Sequence, residues 1–170
     1  MLFESETPLL RHYLYPGTLF ADPRPHMVTT VLGSCVSVCL WDRELKIGGI
    51  NHFLLPYWNG EGLPTPKYGN VAIDKLIERM LELGCRKNNL IAKVFGGAAL
   101  WEDSAGLMRV GERNVTLTVE RLGEHRTQIV SSDVQGRSGR KIHFNTATGA
   151  VLLQRHGARS PARLNIPPSV

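Results

Sequence analysis

The position of Cys35 suits a catalytic nucleophile. A tight turn is predicted at Gly33 and Ser34, between two apolar, β-branched segments at 28–31 and 36–41. A cysteine directly after such a turn has its backbone fixed by the scaffold and its sulfur in open space, and the amide N–H groups of Ser34 and Cys35 become candidate oxyanion donors. Because the thiolate is the attacking species, Cys35 also needs a base to activate it.

His52 is the candidate base. It lies in a second predicted strand, 46–55, and the polar turn at 42–44 predicts that this strand forms a hairpin with 36–41. The start of the first strand then meets the end of the second, which brings Cys35 within reach of His52. From the residues alone, two interpretations stay open: a catalytic cysteine–histidine pair, or a hydrogen-bonded histidine at a strand end, because dyad spacings do not transfer between families.

The other two cysteines are predicted to be small buried apolar residues. Cys39 lies inside an apolar strand, and Cys85 follows a helix-ending glycine. No second cysteine pair or histidine pair has the spacing of metal ligands, so neither a metal site nor another cofactor is expected. Three cysteines, no signal-like N-terminus and no run of eighteen apolar residues predict a soluble cytoplasmic protein with free thiols and no membrane insertion.

The charge of the chain is mildly basic, with a net charge of +5 and a pI near 9.4. The basic residues accumulate only toward the end, between 137 and 163, and no helix-turn-helix, zinc-finger spacing or RNP-type aromatic motif accompanies them. Nucleic acid is therefore not expected as the main partner. A surface of this kind also suits an acidic protein.

The pattern of elements predicts one layered α/β domain of the α+β kind. Residues 1–26 contain four prolines and are expected to form an irregular N-terminal arm, 27–156 the domain, and 157–170 a flexible basic tail. Apolar residues at helical spacing predict a helix from the N-cap Asn70 to the C′ residue Gly84, and a second helix at 111–122. The intervening strands, several of them linked as hairpins, predict a sandwich with a mixed sheet and two to three helices.

Five short blocks follow one another along the chain in a distinctive order and spacing: TTVLGSCV at 29–36, IGGINHFLLP at 47–56, KVFGGA at 93–98, GERN at 111–114 and GRKIHF at 139–144. Together they resemble the CheD family of chemoreceptor glutamine deamidases, over roughly residues 13–156. One departure lies just before the last block, where Gln135 stands at a position that is commonly glycine in the family.

The resemblance implies a specific site and activity. Family members use a cysteine nucleophile, a histidine base and a threonine, which correspond here to Cys35, His52 and Thr29. They convert particular glutamines of methyl-accepting chemotaxis receptors to glutamate, without a cofactor. Some also hydrolyse receptor methyl esters and some bind the phosphatase CheC. The implied fold is a layered sandwich related to toxin-type Cys–His deamidases.

An alternative from another class is a non-catalytic regulatory binding module for a chemotaxis phosphatase or a receptor. The presence of both Cys35 and His52 counts against it, because a protein without turnover has no physical reason to keep a thiol and an imidazole at such a turn. The sequence therefore favours an amidohydrolase, a protein-glutamine glutaminase.

Overall fold

A computed structural model describes residues 8–100 and 109–157 of the chain. The described residues form nine strands, two α-helices and one 3₁₀ turn at Lys87–Asn89. In chain order the elements are β1 (Leu10–Tyr13), β2 (Leu19–Asp22), β3 (His26–Leu32), β4 (Val36–Asp42), β5 (Ile47–Asn51), α1 (Gly69–Glu82), β6 (Leu90–Gly96), α2 (Val110–Glu124), β7 (Gln128–Val134), β8 (Ser138–Asn145) and β9 (Val151–Gly157).

The strands form two sheets, both of them mixed. One has the order β1-β3-β8-β9 and the other has the order β2-β5-β4-β6-β7. In the first sheet only β1 and β3 run parallel, and in the second only β6 and β7. The predicted sandwich with mixed sheets and two helices is confirmed, although the turn at Gly33 and Ser34 carries the chain from one sheet to the other.

Two hydrophobic clusters divide the molecule into three layers. The first lies between the five-stranded sheet and the helices, and includes Val36, Val38 and Phe53 together with Leu76 of α1. The second lies between the two sheets, and its members are Leu14, Val28, Leu32, Cys39, Ile50, Phe95, Ile142 and Phe144. Because side chains alternate along a strand, β4 and β5 contribute one face to each cluster.

The helices form where the sequence has apolar residues at helical spacing. In α1 the side chains of Ile73, Leu76, Ile77 and Met80 recur on one face and are almost completely buried. Gly84 has φ +96°, as expected for a C′ residue. Asn70 does not cap the helix as predicted. Its carboxamide oxygen instead accepts a hydrogen bond from the Trp58 amide at 3.0 Å.

The prediction of an irregular N-terminal arm is wrong for residues 10–22. β1 pairs with β3 in parallel, and β2 pairs with β5 in antiparallel orientation, so this segment contributes a strand to each sheet. The prolines at 8, 16, 23 and 25 fall between or beside the strands, where a missing amide donor costs nothing. The predicted tail, apart from Gly157, lies outside the described residues.

Gly48 and Gly49 allow both layers to approach the backbone of β5 closely. A Cβ atom on Gly48 would lie 2.9 Å from the Phe144 ring in the opposite sheet. A Cβ atom on Gly49 would lie 2.8 Å from Met80 Sδ and 2.9 Å from Leu76 Cδ1 of α1. A glycine pair inside a strand is typical of such a close backbone approach.

Substitution of Gly49 by alanine is expected to lower the free energy of unfolding by about 1–3 kcal/mol, because the added methyl group overpacks the contact with α1. Gly123→Ala is the matched control. Gly123 is exposed in α2 and a Cβ atom there meets nothing within 4 Å, so this change should instead stabilise the helix by about 0.5–1 kcal/mol. Urea denaturation measures both, and equal effects would contradict the packing argument.

Candidate active site

Cys35 lies directly before β4, at the point where the chain enters the five-stranded sheet. Its side chain is half-buried and packs against the cluster between the two sheets. All three cysteines of the chain are free thiols, and Cys39 and Cys85 are buried as predicted. Cys35 is therefore the cysteine with the greatest access to solvent.

A bridge between Val36 and Phe53 joins the segments that carry Cys35 and His52. The Val36 amide donates to the Phe53 carbonyl at 3.1 Å, and the Phe53 amide donates to the Val36 carbonyl at 3.0 Å. Cys35 and His52 are diagonal neighbours across this antiparallel bridge, on the face opposite to Val36 and Phe53. Diagonal neighbours have Cα atoms about 7–8 Å apart, so the hairpin places the two side chains as neighbours on the same face of the sheet.

A chain of two hydrogen bonds orients the imidazole of His52. His52 Nδ1 lies 2.7 Å from Thr30 Oγ1, and that hydroxyl donates to the Leu14 carbonyl at 2.8 Å. Since the hydroxyl has a single proton, which it gives to Leu14, it must accept from His52 Nδ1–H. The lone pair of the neutral ring is therefore on Nε2, which has no hydrogen-bond partner among the described residues.

The contact that was expected for Thr29 belongs to Thr30. The Thr29 hydroxyl lies 2.8 Å from His143 Nδ1, and its carbonyl accepts from the Leu14 amide, so neither group reaches His52. The reason is the alternation of side chains along β3, which turns Thr30 toward the other sheet and Thr29 toward the outer face. The prediction that Thr29 orients His52 is corrected accordingly.

The loop between β1 and β2 holds the main chain of His52. The Gly17 amide donates to the His52 carbonyl at 2.8 Å, and the His52 amide donates to the Thr18 carbonyl at 3.1 Å. With Leu14 as the acceptor for Thr30, three residues of this segment support one histidine. The sequence contained no signal for this, because the segment was expected to lie outside the domain.

Burial favours the uncharged forms of both candidate catalytic groups. It lowers the pKa of His52 to about 4, because the charged imidazolium loses its hydration. Burial also raises the pKa of the Cys35 thiol, and a hydrogen bond from its own main-chain amide opposes part of that increase. Both groups are therefore uncharged near neutral pH in the folded chain.

Hydrogen bonds to three consecutive main-chain carbonyls hold the turn that precedes β4. The carbonyl of Gly33 accepts from the Ala98 amide at 3.0 Å, and that of Cys35 accepts from the Gly97 amide at 2.8 Å. The carbonyl of Ser34, between them, accepts from the side chain of Asn114 at 3.1 Å. This turn is therefore anchored to the segment after β6 and to α2.

Gly96 must be glycine for this arrangement. Its φ is +107°, and a Cβ atom there would lie 2.1 Å from the carbonyl oxygen of Cys35. The close contact with the cysteine turn therefore requires the first glycine of the KVFGGA block.

Among the described residues, no group of three or more His, Cys, Asp or Glu side chains is arranged to hold a metal ion.

Comparison with known proteins shows to which family the chain is similar. The family model described as "CheD chemotactic sensory transduction" matches residues 54–155. A protein of Trichlorobacter lovleyi, named probable chemoreceptor glutamine deamidase CheD, is 52% identical over 152 residues, which cover 89% of this chain and 94% of that protein. A relative with the same name from Sulfurimonas denitrificans is 47% identical, over 85% of this chain and 93% of that protein. Another from Rhodospirillum rubrum is 45% identical, over 84% of this chain and 80% of that protein.

The chain belongs to the CheD family. The match to the CheD family model begins at residue 54, just after His52, and includes the KVFGGA, GERN and GRKIHF blocks. Those blocks supply Gly97, Asn114 and Arg140, all of which hold main-chain groups around the site.

Neither α1 nor α2, which have 14 and 15 residues, is long and apolar enough to cross a membrane.

The departure from the CheD pattern at Gln135 lies in a loop beside the site. Gln135 has φ +65°, a left-handed conformation that favours glycine. Its amide donates to the Gly96 carbonyl at 2.8 Å, and its carbonyl accepts from the buried guanidinium of Arg140 at 2.7 Å. These contacts hold a non-glycine residue in a conformation that a glycine would adopt without strain.

The low pKa of His52 predicts a loss of stability in acid. Unfolding returns the imidazole to its ordinary pKa of 6.5, so between pH 6.5 and about 4 the unfolded chain binds a proton that the folded chain does not. The free energy of unfolding should therefore fall as the pH decreases through this window, by about 2 kcal/mol at pH 5 from this group. His52→Gln removes that contribution, and urea denaturation at pH 7 and pH 5 should show a smaller pH effect in the variant. Identical pH effects in both proteins would contradict the burial of a neutral imidazole.

Proposed function

We propose that this chain is a protein-glutamine glutaminase that converts glutamine side chains of methyl-accepting chemotaxis receptors to glutamate. The observation that carries the proposal is the placement of Cys35 and His52 as diagonal neighbours on one face of the segments joined by the Val36–Phe53 bridge, with Nε2 of the imidazole left without a partner among the described residues. The names of the relatives, probable chemoreceptor glutamine deamidases, supply the substrate.

The first step is formation of a thioester. His52 Nε2 takes the proton from the Cys35 thiol as the sulfur attacks the carbonyl carbon of the glutamine side chain. The carbonyl oxygen becomes an oxyanion, for which the amides of Ser34 and Cys35 are the candidate donors. No main-chain carbonyl among the described residues accepts a hydrogen bond from either amide. The carbon–nitrogen bond then breaks, and the imidazolium gives its proton to the departing ammonia.

The second step is hydrolysis of the thioester. His52 Nε2 accepts a proton from water, whose oxygen attacks the same carbon, and the carbon–sulfur bond breaks. The imidazolium returns a proton to the sulfur, and the products are glutamate and ammonia. A methyl ester of glutamate would form the same thioester with methanol as the leaving group, so methylesterase activity is part of this proposal.

Thr30 acts in this mechanism by orienting the base. Because it accepts from Nδ1–H, it holds the tautomer in which Nε2 is free to take a proton, and it favours the imidazolium formed during each step. The donation from Thr30 to Leu14 fixes the direction of the hydroxyl lone pairs. This is the role that the resemblance had suggested for Thr29.

Cys35→Ala is expected to abolish deamidation while leaving thermal unfolding cooperative, since the thiol is half-buried at a turn. Cys39→Ala is the matched control, because Cys39 is 1% exposed in the core and its loss should cost about 1 kcal/mol of stability without affecting the chemistry. Mass spectrometry of a receptor cytoplasmic fragment, incubated with each protein, detects the 1 Da gain per converted glutamine. Conversion by Cys35→Ala would remove the nucleophile assignment, and no conversion by the native chain would favour a binding module.

Thr30→Val is expected to lower kcat by roughly tenfold or more, because the imidazole loses the acceptor that selects its tautomer. Thr29→Val, the neighbouring control, removes a hydroxyl that contacts His143 on the outer face and should leave kcat near the native value. The same mass-spectrometric assay, run as a time course, provides the comparison. A larger effect of Thr29→Val than of Thr30→Val would overturn the assignment.

A further inference from the structure

We propose that Asn114 is a positioning residue that aims the main-chain amide of Cys35 at the oxyanion of the reaction. The proposal rests on the function proposed above and assigns a role to the GERN block, which the mechanism has so far left unused. Asn114 is completely buried in α2, and its carboxamide nitrogen makes two hydrogen bonds to main-chain carbonyls.

The two acceptors belong to the two catalytic segments. Asn114 Nδ2 donates to the Ser34 carbonyl at 3.1 Å and to the Leu54 carbonyl at 3.0 Å. Ser34 directly precedes the candidate nucleophile, and Leu54 lies two residues after the candidate base. One side chain thus ties the cysteine turn to the segment after β5 that carries His52, on the helix side of the sheet.

The bond to Ser34 sets the direction of the Cys35 amide. The Ser34 carbonyl and the Cys35 N–H belong to one planar trans peptide unit, in which the two groups point in opposite directions. With the carbonyl bound to Asn114, the N–H must point away from α2, toward the side on which the thiol lies. The Gly33 carbonyl, held by the Ala98 amide, directs the Ser34 N–H by the same geometry.

The position of Asn114 is itself rigid. A Cβ atom on Gly111 would lie 2.5 Å from the Gly97 carbonyl oxygen, so the first turn of α2 packs directly on the main chain beside the cysteine turn. The Asn114 carbonyl accepts from the Thr118 hydroxyl at 2.7 Å within the helix. Its Oδ1 atom is buried and has no partner among the described residues, which is a cost that the two donated hydrogen bonds offset.

The test compares Asn114→Asp, which keeps the shape and removes both donors, and Asn114→Ala with Leu122→Ala as the matched control. Leu122 is buried in the same helix and makes no hydrogen bond to the cysteine turn. Its truncation should therefore lower stability alone. Deamidation of the receptor fragment gives kcat and KM, and kcat is normalised to the number of Cys35 thiols titrated by iodoacetamide. Hydrogen exchange of the peptide that contains residues 33–36 measures the turn without any need for activity.

Both Asn114 variants should lower normalised kcat at least tenfold, change KM less than twofold and accelerate exchange in the turn, because an oxyanion donor contributes only in the transition state. Leu122→Ala should lower the melting temperature without affecting normalised kcat. If the larger changes prevent cooperative folding, Asn114→Ser gives the same comparison.

Native kcat and native exchange in the turn would overturn the proposal, as would losses that merely follow the melting temperature as in Leu122→Ala. Failure of the proposed function gives a different result, namely a Cys35→Ala variant that still deamidates the fragment or a native chain that does not. In that case the exchange measurement still decides whether Asn114 holds the turn.

Discussion

The hydrogen bond between Thr30 and His52 crosses the interface between the two sheets, and the candidate site depends on it. Thr30 belongs to the four-stranded sheet and His52 follows β5 of the five-stranded sheet, so the base is oriented only when the layers have packed. The side chains around this bond are apolar, which strengthens it and keeps the imidazole neutral. The orientation of the candidate base therefore depends on the packing of the hydrophobic layer between the two sheets.

The nucleophile is positioned by a separate set of constraints, all of which act on the main chain. The carbonyls of the cysteine turn accept hydrogen bonds from the segment after β6 and from the side chain of Asn114 in α2. These main-chain hydrogen bonds explain the glycines and the asparagine at the cysteine turn. A charge beside the thiol would change its pKa, whereas a hydrogen bond to a carbonyl sets its position without doing so.

Membership of the CheD family agrees with this architecture. The family match covers the helices and the strands that hold the turn, while the residues proposed to react lie just before it. The residues of the loop between the two N-terminal strands, a segment that the sequence suggested was peripheral, contribute the Leu14 carbonyl and two main-chain contacts of His52. Their part in the site follows from the pairing of β2 with β5.

The sequence by itself determined those features that depend on neighbouring residues or on one strand pair. The turn before Cys35, the hairpin that brings His52 toward it and the helices could all be predicted, because periodicity and turn chemistry are local. The resemblance to the CheD family indicated the activity now proposed. None of these required knowledge of how the sheets pack.

Only the tertiary structure decided which residues support the pair. Thr29 and Thr30 are equivalent in the sequence, and the orientation of β3 against the second sheet selects Thr30. Asn114 lies 79 residues after Cys35, and its contact with the turn depends on how α2 packs on the segment after β6. Contacts between layers arise from the folding of the whole chain, so no local pattern predicts them.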